Sequence, residues 1–262
     1  MLYLAEDPEK RTVAVKVLQS IRQLPKQADR EAATQRVLNT AQQLSRLRHE
    51  NIVRVYNAGE AEGLAYIVME YLTGRDLSYY IDAEKLPLDE VFVVITKVAQ
   101  GLSHAHTHGL IHRDIKPANI IYNRDSEVVK ITDFDLSVVN EFATGSRKVF
   151  AGTPYYMAPE QTTGGPVDAR ADIYSLGATL FQLITGTPPF RADSLDKLIR
   201  KIQKESPPDI LAVRPDLAGA GVCLRAIMDN VLQKKAKDRY QSCEEFIEDL
   251  TPCADVILNT LS

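Results

Sequence analysis

Residues 112–119 read His112-Arg113-Asp114-Ile115-Lys116-Pro117-Ala118-Asn119, and Asp133-Phe134-Asp135 begins fourteen residues after Asn119. An Asp five residues before an Asn, on one loop, can set a proton acceptor and a metal ligand on the same side of a small pocket. A second Asp, at the end of the next apolar run, can hold the same metal from the other side. This is the layout needed to move a phosphoryl group from a magnesium-bound nucleotide to a hydroxyl.

The sequence around these motifs changes texture once. Thr12 to Leu18 is a β-branched run and reads as a central strand. Gln27 to Leu47 reads as a helix, with Ala33, Val37, Ala41, Leu44 and Leu47 on one face. Ile52 to Tyr56 and Ala65 to Tyr71 read as two more strands, joined by a turn carrying Gly59 and Gly63. Past Gly74 the pattern turns helical. Pro87 starts a long helix through His108, closed by Gly109, and Asp168 to Thr185 is another, closed by Gly186. Further helices are expected near 194–204, 222–233 and 242–250. Strands followed by helices predict an α+β chain. A small β-rich lobe would span residues 1–73 and a larger α-helical lobe residues 74–262, with a ligand cleft at the joint.

Several further motifs, in order, carry a resemblance over nearly the whole chain. They are Val13-Ala14-Val15-Lys16, Met69-Glu70-Tyr71-Leu72, Ala158-Pro159-Glu160, Asp172-Ile173-Tyr174-Ser175-Leu176-Gly177 and Lys237-Asp238-Arg239-Tyr240. With residues 112–119 and 133–135 they resemble the eukaryotic-type protein kinase domain. Lys116 and the stretch Gly152-Thr153 favour its serine/threonine branch, and the wording of residues 151–161 resembles bacterial members. The resemblance implies a bilobal kinase-like fold, ATP and Mg²⁺ as cofactors, and a protein substrate. It assigns Asp114 as the base and Lys116 as the charge stabiliser, with Asn119 and Asp133 as metal ligands. Lys16 falls on the α- and β-phosphates, Ala14 and Ile121 on the adenine, and Glu70 and Leu72 on the hinge. Asp76 either meets the ribose or caps the helix that follows it. Asp172 and the pair Glu160–Arg239 are structural braces. Thr144 and Ser146 are candidate phosphosites, since Arg147 and Lys148 sit beside them.

Three departures from the family pattern concern the nucleotide. The Gly-rich loop expected just before Leu2-Tyr3-Leu4-Ala5 does not appear, so the small lobe reads as truncated. The helix acid that the family pairs with Lys16 falls, by counting back from His49, on Thr40. Asp135 stands where the family has Gly. The expectation is therefore an impaired kinase, or a kinase fold kept as a binding module. Exposure of the first strand edge also predicts dimerisation through the small lobe.

Composition narrows the partners. With 45% hydrophobic and 25% charged residues in 262, the chain can bury a sizeable core. A formal net charge of −4 gives no overall basic field for nucleic acid. No apolar run approaches a membrane span. Cys223, Cys243 and Cys253 lack metal-site spacing and read as free thiols in a reducing, cytoplasmic setting. His104, His106 and His108 alternate near a helix end, where only His104 and His108 share a face.

Overall fold

The computed structural model describes residues 1–83, 85–134, 154–219 and 221–261. The chain opens with two antiparallel strands, β1 (Leu2–Glu6) and β2 (Thr12–Val17). A short helix α1 (Gln19–Arg22), which the sequence reading did not foresee, leads to α2 (Gln27–Arg46). Then come β3 (Val55–Ala61) and β4 (Leu64–Glu70), completing one sheet in the order β1-β2-β4-β3. Helix α2 buries Ala33, Val37, Ala41 and Leu44, the face expected from spacing. The strand expected from Ile52 starts later, at Val55. Residues 51–53 instead bond to the other lobe: Val53 N donates to Ile131 O at 2.9 Å, and Ile131 N to Asn51 O at 2.9 Å. Gly59 lies within β3, so the turn is made by Glu62 and Gly63.

The second lobe begins with β5 (Arg75–Asp76), α3 (Leu77–Asp82) and α4 (Leu88–Thr107). Strands β6 (Ile120–Asn123) and β7 (Val128–Ile131) join β5 in a small sheet of order β5-β6-β7. Gly74, with φ at +123°, lies between β4 and β5. A Cβ there would sit 2.6 Å from Tyr122 O, so only glycine lets the chain pass.

Helices complete the lobe: α5 (Pro159–Thr163), α6 (Arg170–Thr185), α7 (Leu195–Lys204), α8 (Ile210–Val213), α9 (Val222–Val231) and α10 (Cys243–Leu261). Helix α6 is buried nearly throughout, and Gly177 lets α9 approach it: a Cβ there would lie 2.4 Å from Val231 Cγ1. Helix α10 runs well past the expected end near 250. Pro252 lies inside it and removes one helix bond, which costs about 3 kcal/mol. Burial of Cys253, Ala254 and Ile257 beside Phe246 and Leu250 offsets that cost. Among the described residues no helix is long and apolar enough to cross a membrane.

The expectation of three free thiols fails. Cys223 on α9 and Cys253 on α10 form a disulfide, with Cα atoms 5.6 Å apart and 30 residues between them in sequence. Packing of α10 against α9 creates that proximity, which linear spacing does not report. Only Cys243 is free. Reduction, or Cys253→Ser, is expected to lower stability by about 3 kcal/mol through the larger unfolded ensemble. Urea denaturation with and without reductant checks this, and superimposable curves would count against the bridge.

Candidate active site

The loop after α4 is held from below by one buried carboxylate. Asp172, on α6 and fully shielded from solvent, accepts His112 N at 2.8 Å and Arg113 N at 2.7 Å. His106 Nε2 lies 2.8 Å from the same carboxylate. Burial pushes the Cys243 thiol up, so it stays protonated beside His106 Nδ1, 3.8 Å away. Arg113 takes a left-handed φ of +66° between His112 and Asp114. Such backbone costs of order 1 kcal/mol or more and persists where neighbours over-determine it.

His112 then links this loop to the segment carrying the second motif. Its Nε2 donates to Thr132 O at 2.8 Å, which leaves Nδ1 to accept Asp114 N at 3.2 Å. The imidazole is thus in the neutral form, and its ring lies 4.5 Å from that of Phe134. A 3-10 turn, Pro117–Asn119, brings Asn119 back toward Asp114. Thr132 N donates to Asn119 O at 2.9 Å, so loop and segment are stitched twice.

The sequence motifs converge here. Lys116 Nζ lies 2.7 Å from Asp114 Oδ2, and Asn119 Nδ2 lies 2.9 Å from the same oxygen. Asn119 Nδ2 also donates to Asp114 O at 2.7 Å. Both donors meet one carboxylate oxygen, and Oδ1, which makes no hydrogen bond among the described residues, can accept a proton or orient a hydroxyl. Across the cleft, Lys16 Nζ lies 2.6 Å from Asp133 Oδ1. Lys16 is therefore not left without a partner by Thr40, as the sequence suggested; the Asp133 carboxylate takes that place. Thr40 instead lines a cavity of about 170 Å³ with Gln43, Leu110, Arg113 and Phe134. Asp133 itself has φ at +64°.

The remaining predicted residues lie on the two sheets and the segment between them. Ala14 on β2 is buried and opposite Met69 on β4, the residue before Glu70, and Leu72 follows that strand. Asp76 and Ile121 are cross-strand partners on β5 and β6. Asp76 is also the N-cap of α3: its Oδ1 accepts Ser78 N at 2.9 Å and Tyr79 N at 3.2 Å. Thr144, Ser146 and Asp135 lie outside the described residues. Glu160 meets Arg239 through paired contacts of 2.7 and 2.8 Å.

The sequence profile of the protein kinase domain matches residues 3–250. The chain belongs to the protein kinase family. This kinase domain is 36% identical over 217 residues to serine/threonine-protein kinase PknB of Mycobacterium leprae, covering 80% of this chain and 34% of that protein. It is 32% identical over 260 residues to serine/threonine-protein kinase PrkC of Bacillus subtilis, covering 97% and 38%. The chain thus spans little more than a third of these relatives' length. Among solved structures it resembles the PknI kinase domain of Mycobacterium tuberculosis, at TM-score 0.75 and 31% identity over 96% of this chain and 90% of that one. It also resembles a Rad53 fragment in complex with AMP-PNP, at TM-score 0.76 and 25% identity over 97% and 61%.

Two features of this kinase domain escaped the sequence reading. Glu70 Oε1 accepts both Arg54 N at 2.7 Å and Lys130 Nζ at 2.8 Å, which fastens the end of β4 to β7. His106 is a partner of Asp172 rather than one of three alternating surface rings. Their partners lie 60 and 66 residues away in sequence, beyond any local pattern.

Proposed function

We propose that this chain transfers the γ-phosphoryl group of ATP to serine or threonine hydroxyls of a protein substrate. One observation carries the reading: Asp114, Lys116 and Asn119 share a hydrogen-bonded cluster that is stitched to the segment bearing Asp133. In this reading Asp114 accepts or orients the hydroxyl proton. Lys116 balances charge on the moving phosphoryl group. Lys16 contacts the α- and β-phosphates. Ala14 and Ile121 close on the adenine, backbone groups of Glu70 and Leu72 bond its edge, and Oδ2 of Asp76, which makes no hydrogen bond among the described residues, meets the ribose. The lobe boundary falls at residues 73–74, and Thr144 and Ser146 are the proposed phosphosites.

The donor set also fits magnesium. Asn119 spends its Nδ2 on Asp114, and its Oδ1 makes no hydrogen bond among the described residues. That amide oxygen and the Asp133 carboxylate are hard donors, and they would hold the ion. Bound Mg²⁺ neutralises phosphate charge. The proposed location is the cytoplasm, on the availability of ATP and not on the cysteines, two of which are bridged. Self-association through the exposed edge of β1 belongs to the same proposal, and light scattering tests it.

A second reading is a kinase fold that binds a partner without transfer. Its support is the 2.6 Å Lys16–Asp133 pair, which engages the carboxylate a metal would need, together with Thr40 where the family has an acid. Binding and transfer assays separate the two. ATP affinity is expected to be weaker than micromolar and to rise at least about tenfold with Mg²⁺, because the ion must compete with Lys16 for Asp133. Calorimetry with Mg²⁺ and with EDTA measures this; submicromolar, metal-independent binding would sink the assignment. Radiolabel transfer to a generic protein substrate supports the first reading, and binding without transfer supports the second.

A further inference from the structure

We propose that His104 and His108 form a site for one borderline divalent transition-metal ion of the Zn²⁺ class, separate from the oxygen donors at Asn119 and Asp133. The two residues are four apart on α4 and therefore share a face. Their ring centroids are 4.5 Å apart. Two imidazoles on one tetrahedral Zn²⁺, each at about 2.1 Å, place their ring centres roughly 5 Å apart.

The hydrogen bonding favours the metal-binding tautomer. His108 Nδ1 lies 2.8 Å from His104 O. A carbonyl only accepts, so Nδ1 carries a hydrogen, and in the neutral ring the lone pair is then on Nε2. Donation of the other ring N–H to a backbone carbonyl is the usual support behind a metal-bound histidine. The ring nitrogens of His104 make no hydrogen bond among the described residues, so either is open to a ligand.

The other histidines are committed elsewhere. His49 lies 5.0 Å from His104, yet its Nδ1 accepts Asn51 N at 3.1 Å. That contact assigns the hydrogen to Nε2 and removes His49 as a ready third ligand. His106 is bonded to Asp172 and His112 to Thr132. No group of three His, Cys, Asp or Glu converges among the described residues, so the site is bidentate and water completes the shell. Imidazole selects Zn²⁺, Ni²⁺ or Cu²⁺, whereas Mg²⁺ prefers oxygen, and the two sites separate by chemistry. Occupancy would clamp the last turn of α4, just before the chain enters the catalytic loop.

The test uses the full chain without an affinity tag, disulfide intact, in excess Mg²⁺ to fill the oxygen site. Zn²⁺ titration at neutral pH is expected to show one ion per chain. His104→Ala and His108→Ala should each weaken binding at least about tenfold. Cu²⁺ in the parent chain should give a paramagnetic resonance spectrum split by two imidazole nitrogens. Both rings reach the surface, and circular dichroism verifies that the variants stay folded. Undiminished Zn²⁺ binding by the double variant overturns the proposal, as does the absence of saturable binding by the parent.

Discussion

Asp114→Asn is expected to lower the rate of phosphoryl transfer by about 10²–10⁴-fold while leaving ATP affinity within a few-fold. The substitution keeps the shape of the side chain and removes its capacity to accept a proton. It also disturbs a crowded oxygen. Lys116 and Asn119 both donate to Asp114 Oδ2, and an amide presents one acceptor atom in place of two. The nucleotide contacts proposed for Lys16, Ala14, Glu70 and Leu72 lie elsewhere, so binding should persist. The measurement is single-turnover transfer beside nucleotide calorimetry. Transfer that survives the substitution would mean that another group handles the proton.

Glu160→Ala is expected to destabilise the helical lobe by about 3–5 kcal/mol. The Arg239 side chain is fully shielded and bonded to both Glu160 oxygens, and to the carbonyls of Gln233 at 2.7 Å and of Arg170 and Lys234 at 3.1 Å. Removing Glu160 leaves that cation buried with neutral acceptors only. Replacing both partners with apolar groups, as in Glu160→Leu with Arg239→Met, should cost less than the single change, because no uncompensated charge remains. Urea unfolding of the three proteins decides the matter. A single-variant loss below about 1 kcal/mol would place the pair with weak surface bridges.

That Asp114, Lys116 and Asn119 come together was legible because their geometry is local. Asp114, Lys116 and Asn119 share one loop, and a 3-10 turn folds them together. Helix α2 was legible because its apolar spacing matches the face it buries. What escaped depended on contacts between distant segments. The Cys223–Cys253 bridge requires α9 and α10 to be packed first. The Lys16–Asp133 pair spans both lobes, so Thr40 suggested a vacancy that a group far along the chain fills. The start of β3 was misplaced because Asn51, Ile52 and Val53 are drawn to β7 rather than to their own sheet. Helix α10 passes Pro252 because burial on its inner face outweighs a local breaker.

The two stitches from Thr132, to His112 and to Asn119, make the loop of residues 112–119 and the Asp133 segment one mechanical unit seated on α6. Among the charged candidates, Lys16 and Glu70 belong to the sheet lobe. Substitutions in the two halves should therefore be tolerated by different rules. A lineage could accumulate changes in the sheet and lose grip on nucleotide gradually, while the proton chemistry stays intact and recoverable. Changes beneath the loop would instead remove both stability and chemistry in one step. Thr40 in the sheet lobe, beside Asp114, Lys116 and Asn119 kept together in the helical lobe, is the pattern that such a division of labour would produce.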